Sequence, residues 1–222
     1  MLGLILALGL AKVCLGCNFT GAQLAGSDFS GVVYVGSNFA SAQLSKASFR
    51  GARLVAANFE NADLRGAVFD GSQCTACNFD GAKFDGATFA GSWMVAANFA
   101  GFNSAVAGDQ LRDLLGSCIS CNFRGSTLAG RDFSDLALIS EDFSSADLRG
   151  TNFIGSTFCW YVVVGARRTV KCDALQNAQV DGANFAGVRA CMDPADASTC
   201  SPVDGASLRR YTGSNLSGAT LP

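Results

Sequence analysis

From Phe19 onward a large apolar residue stands at every fifth position: Phe19, Leu24, Phe29, Tyr34, Phe39, Leu44, Phe49, Leu54, Phe59, Leu64, Phe69, Cys74, Phe79, Phe84, Phe89, Met94 and Phe99. Two residues before each sits a small or compact side chain, as at Cys17, Ala22, Ser27, Ala42, Ala57, Cys77 and Ala97. This spacing fits neither a helical period of about 3.6 nor the two-residue alternation of a strand. The chain has to turn a corner every five residues, with the large and the small side chain both inward. The Gly, Asn, Asp and Ser between them supply the bends.

A second period sets the size of the turn. Phe19, Phe39, Phe59, Phe79 and Phe99 recur every twenty residues, each preceded by an asparagine: Asn18, Asn38, Asn58, Asn78 and Asn98. The columns Leu24, Leu44, Leu64, Phe84 and Phe29, Phe49, Phe69, Phe89 keep their own character in the same way. Four pentapeptides therefore close one coil. Coils stacked at the inter-strand spacing of about 4.8 Å place like residues over like, and the asparagine column is suited to amide hydrogen bonds between coils.

The segments SNFAS, AQLSK, ANFEN, ADLRG and ANFAG resemble the pentapeptide-repeat family motif A-(D/N)-L-x-x, with Phe in place of Leu. The resemblance covers Cys17 to Gly101 almost throughout, Cys121 to Phe158 well, and Leu175, Val180, Phe185, Leu216 and Leu221 more loosely. It implies an all-β fold, a right-handed quadrilateral parallel β-helix with a dry interior and strand-like hydrogen bonds between turns. Each coil of such a solenoid touches only its neighbours, so both ends need covering.

The pattern breaks in three places and divides the chain. Residues 1–13 form an apolar segment, either a signal-like h-region or a cap on the first coil. Residues 14–101 are the first repeat block, and 102–117 an insertion in which Asp109 to Leu115 predicts a short amphipathic helix ended by Gly116. Residues 118–222 are a second, less regular block, with loop insertions near 159–172 and 187–207. The restart at SCISCNF echoes the opening VCLGCNF. One interrupted solenoid or two short ones joined by the insert would both fit, and the first is preferred.

Ten cysteines fall into five close pairs. Cys159 with Cys172 and Cys191 with Cys200 bracket irregular stretches and are expected to be disulfides. With the apolar N-terminus they point to an oxidising compartment, secreted or periplasmic, against a cytoplasmic alternative. The pairs Cys14/Cys17, Cys74/Cys77 and Cys118/Cys121 each place two cysteines at inward positions of one corner. Cys17 and Cys77 lie three coils, about 14 Å, apart, so the pairs cannot share a zinc ion, whose thiolate ligands sit at about 2.3 Å. Buried thiols are also poor redox centres. Whether the two sulfurs of each pair are bonded is left open.

Composition removes several classes of function. The chain has no histidine, and with it go the commonest general base and nitrogen metal ligand. No catalytic constellation, cofactor site or metal site is expected. The sixteen basic residues are scattered against eighteen acidic ones, so no nucleic-acid-binding stripe forms. The apolar N-terminal run is too short for a stable membrane span. Some members of the resembled family bind type II topoisomerases by mimicking DNA, which needs a strongly acidic face; the near-balance of charge here makes that the alternative. The preferred expectation is a non-catalytic structural or protein-binding scaffold.

Its contact surface is sought on the fourth face. There the outward column Val35, Val55, Thr75 and Val95, with Trp93 beside it, forms an apolar stripe among otherwise polar walls. Either the insert helix folds back over it with Leu111, Leu114 and Leu115, or it meets a protein partner or a second copy. One anomaly stands in the second block, where Arg131, Leu136 and Glu141 occupy small inward positions. A lone charge cannot sit in so narrow a core, so Arg131 and Glu141 are expected to pair or to face out of a bulged coil.

Overall fold

A computed structural model of the chain describes residues 5–8, 11–103, 108–138, 140–164, 167–171, 173–192, 197–212, 216 and 218–221. They fall in two compact units, residues 1–122 and 123–222. In both, the chain coils as a parallel β-helix.

In the first unit the asparagine column is a ladder of parallel bridges, Asn18 to Asn38, Asn58, Asn78, Asn98 and Asn122 in turn. At each rung one backbone N–H donates up the stack and one donates down. The Phe59 N–H donates to the Asn78 carbonyl at 2.7 Å, and the Asn58 N–H to the Ser37 carbonyl at 2.9 Å. The corners turn through left-handed backbone, at Gly31, Gly51, Gly71 and Gly91 on one edge and at Ser41, Asn61 and Gly81 on another. The aromatic columns stack in the register implied by the twenty-residue period: Phe39 on Phe59 at 4.8 Å and Phe49 on Phe69 at 5.0 Å, nearly parallel in each case. Phe39, Phe49, Phe59 and Phe69, with Ala42, Ala47, Ala52 and Ala62, are wholly buried.

The fourth face is the one that widens into true strands. β1 (Ile5–Leu8) and β2 (Ala11–Leu15) form an antiparallel hairpin. β3 (Val33–Val35), β4 (Arg53–Val55), β5 (Gln73–Thr75) and β6 (Trp93–Val95) then stack in parallel on β2. After the helix α1 (Gly108–Gly116), β7 (Cys118–Ile119) pairs with β6 and completes a seven-stranded sheet. Valine and threonine favour this face because β-branched side chains suit extended backbone.

The insert takes the place in the chain of two corners of the fifth coil. Phe102 is buried beside Phe84, their rings 5.8 Å apart. Helix α1 buries Leu111, Leu114 and Leu115, the i, i+3, i+4 stripe of an amphipathic helix, and the Asp109 carboxylate accepts from the Gln110 N–H.

The second unit repeats the corner with larger excursions. Thr127, Asp147 and Gln179 form one bridge column, and Asp132, Asn152, Asn184 and Thr220 another. Phe153 stacks on Phe185 at 5.1 Å although the chain between them is much longer than one coil. The excess is taken up by the hairpin β8 (Thr157–Val164) and β9 (Arg167–Lys171), which leaves the coil between the two rings. The described residues of 187–207 include strands as well as loop. β10 (Arg189–Cys191) pairs in parallel with β8 and antiparallel with β11 (Cys200–Pro202), and α2 (Gly205–Thr212) follows. The reason is register: Arg189 still lies beside Thr157, so the sheet holds the segment.

Glu141 corrects both sequence expectations for its site. It is neither paired nor turned outward: the residue is 1% exposed, and neither carboxyl oxygen has a hydrogen-bond partner. Arg131 and Leu136 are half-buried. Burial pushes the Glu141 carboxyl up to about 8, so at neutral pH it enters the core as the uncharged acid, which removes most of the desolvation penalty of an ion.

Candidate interaction surface

The strand pairings carry the outward residues of the fourth face into one line. Leu15, Val35, Val55, Thr75, Val95 and Ile119 are successive register partners across β2 to β7. Leu15 is 54% exposed, Val35 38% and Val55 37%; Thr75 is exposed, and Val95 and Ile119 are half-buried. Beside this line runs a second, Val13, Val33, Arg53, Gln73 and Trp93, in which Trp93 is 56% exposed. Val35, Val55 and Trp93 are thus open to solvent and not covered by helix α1.

Sequence reasoning found Val35, Val55, Thr75, Trp93 and Val95 but missed both ends of the line. Leu15 lies twenty residues before Val35 and would have been found by running the period backward past Phe19. The insert stretches the step from Val95 to Ile119 beyond the length of a coil, so no fixed period reaches it. The corners that follow the line were also missed. Ala56, Ala76 and Ala96 are exposed, and each has left-handed backbone, with φ of 50°, 54° and 51°.

The cysteines are placed as follows. Cys14 and Cys17, Cys74 and Cys77, and Cys118 and Cys121 are at disulfide distance, with Cα separations of 5.8, 6.0 and 5.7 Å, and all six are buried. Each pair fills the large and the small inward position of one corner on the fourth face, as Leu54 and Ala57 do elsewhere. Cys191 and Cys200 face each other across β10 and β11, also at disulfide distance. Cys159 is buried, and Cys172 lies outside the described residues. Among the described residues no group of three or more Cys, Asp or Glu side chains is arranged to hold a metal ion. No described helix is long and apolar enough to cross a membrane.

On the polar walls three arginines pair with aspartates. Arg65 folds onto Asp63 through a two-pronged contact of 2.8 and 2.6 Å, and Arg149 onto Asp147 through one of 2.8 and 2.7 Å. These hydrogen bonds from arginine hold both carboxyls below the usual range. Arg50 reaches Asp70 in the next coil at 3.0 Å.

Comparison with known proteins agrees with this architecture. The family model described as pentapeptide repeats matches residues 17–54, 57–94 and 117–158 in eight copies, more than half of the chain. No curated protein matches in sequence. Among solved structures, full-length QnrB1, a plasmid-mediated fluoroquinolone resistance protein, is similar with a TM-score of 0.58 at 14% identity, over 95% of this chain and 91% of that one. HetL, a pentapeptide repeat protein involved in heterocyst differentiation regulation from the cyanobacterium Nostoc sp. strain PCC 7120, is 19% identical over 95% of this chain and 86% of that one, with a TM-score of 0.28. At these identities the likeness to QnrB1 concerns the fold.

Proposed function

Since the chain belongs to the pentapeptide-repeat family, we propose that it is a non-catalytic scaffold working outside the cytoplasm, secreted or periplasmic, and that it meets a protein through the apolar line of its fourth face. The observation that carries the reading is that line: six register-matched side chains on a flat sheet, five of them hydrocarbon, with Leu15, Val35, Val55 and Trp93 exposed. Side chains of this kind in contiguous, uncharged rows mark contact sites. The compartment is argued from the cysteines, four pairs of which stand at disulfide distance. Such density of pairs belongs to oxidising surroundings.

The DNA-mimicking alternative has less support. Eighteen acidic residues against sixteen basic ones, with Arg50, Arg65 and Arg149 each bound to an aspartate, do not make a polyanionic face.

Two measurements test the proposal. Fractionation of the native host, with intact mass and a free-thiol count, should find the protein outside the cytoplasm and oxidised. A cytoplasmic, fully reduced protein that alters gyrase supercoiling would replace this reading with the topoisomerase one. Val55→Lys with Val95→Lys should leave the melting temperature within a few degrees and abolish association with the partner; unchanged association would remove the fourth face from the proposal.

A further inference from the structure

The line on the fourth face is matched to itself. We propose that its occupant is the same line on a second copy of this chain, the two copies packing face to face in opposite directions about a two-fold axis that runs along the strands between β4 and β5. This rests on the reading of the face as a contact surface, and adds the partner and the register.

The shape argument comes first. Six strands in parallel register set Leu15, Val35, Val55, Thr75, Val95 and Ile119 about 4.8 Å apart, so one line can interdigitate with another as in a dry zipper between sheets. The corners argue the same way. Eleven non-glycine residues among those described have left-handed backbone. Eight are Ser, Asn, Asp or Lys; the other three are Ala56, Ala76 and Ala96, all directly beyond the line, where Gly16, Gly36 and Ser120 hold the remaining corners. Glycine would relieve about 1 kcal/mol of strain at such a corner. Backbone ease therefore does not explain these methyls, whereas a wider apolar surface does.

Charge then selects the register. With the axis between β4 and β5, Val55 meets Thr75, Val35 meets Val95, and Leu15 meets Ile119. In the neighbouring column Arg53 meets Gln73, and Trp93 meets Val33. Moving the axis onto β4 would bring two Arg53 side chains face to face. Moving it onto β5 would set Thr75 against itself and leave Leu15 unmatched. The face is about 29 Å long and about 10 Å wide, a footprint of about 300 Å² against the roughly 800 Å² per partner of a stable complex. The pair is therefore weak, reversible and concentration-dependent.

Sedimentation velocity on the full chain, from about micromolar to about millimolar protein, should show a monomer–dimer equilibrium, and Val55→Lys should raise its dissociation constant at least about tenfold. Register is read by charge. A mixture of the single variants Val35→Lys and Val95→Glu should associate at least about tenfold more tightly than either variant alone, because only the mixed pair sets opposite charges face to face. A protein that stays monomeric throughout, a dimer indifferent to Val55→Lys, or a mixture of Val35→Lys and Val95→Glu that associates no more tightly than either variant alone would each overturn the proposal. A monomer that is nonetheless extracytoplasmic and oxidised would overturn this dimer and leave the scaffold reading standing.

Discussion

In the first unit the asparagine rungs keep the twenty-residue period from Asn18 to Asn98 and exceed it only at Asn122, whereas in the second Asn152 finds its rung at Asn184, beyond the whole β8–β9 hairpin. The inward positions differ as well. Around Phe39 to Phe99 every described small inward site holds Ala, Ser or Cys; at the matching site before Phe143 stands Glu141, with neither oxygen partnered. Extra length costs little in this architecture, because an insertion leaves at a corner and the ladder resumes with the same backbone partners. An inward charge costs far more, because a buried ion loses its hydration and a coil interior lined by Phe, Leu and Ala offers it no compensating partner.

The first way to sharpen that contrast is to damage the regular unit. Phe59 lies in face contact with Phe39 and Phe79 at 4.8 and 5.0 Å, so Phe59→Ala should lower the unfolding free energy by about 3–5 kcal/mol, read from denaturant titration. A loss below about 1 kcal/mol would mean that the columns do not hold the coils together.

The second test breaks the irregular unit with pH. The folded protein holds the Glu141 proton more tightly than the unfolded chain does, since its value is raised from 4.5 to about 8. Stability should therefore be highest below about pH 4.5 and fall as pH rises to about 8, by about 1.4 kcal/mol per pH unit from this group, or about 3 kcal/mol between about pH 5 and 7. Comparing thermal unfolding of the native protein with Glu141→Gln isolates the effect, because the amide cannot titrate and the slopes should differ by that amount. Parallel profiles would show that the carboxyl reaches water or a cation.

The smallest expected effect has the opposite sign. Ala76→Gly should raise stability by up to about 1 kcal/mol, because left-handed backbone strains alanine and not glycine. A destabilised variant would mean that the methyl makes a contact within its own chain.

The repeat was legible because it is local. Five-residue spacing announces the corner, and twenty-residue spacing the coil, without knowledge of any distant contact. Illegible were features decided by how coils meet after an interruption. Ile119 joins the line only because the insert returns the chain one rung higher, and α2 follows a segment held by β8 rather than by any period of its own. Glu141 escapes for a different reason. Its inward place is readable, but its charge state there depends on whether a donor reaches its oxygens, and none does, which spacing does not report.

The asparagine ladder also has a consequence for how such a molecule can change length. Because Ala57 and Cys77 occupy equivalent places one coil apart, removing residues 58–77 would join Ala57 to Asn78 with every remaining rung intact. Val55 would then stand directly beside Val95. The coil is thus a unit of heredity as well as of structure: duplication or loss of sixty nucleotides, in frame, resizes the protein while preserving the continuity of its apolar face.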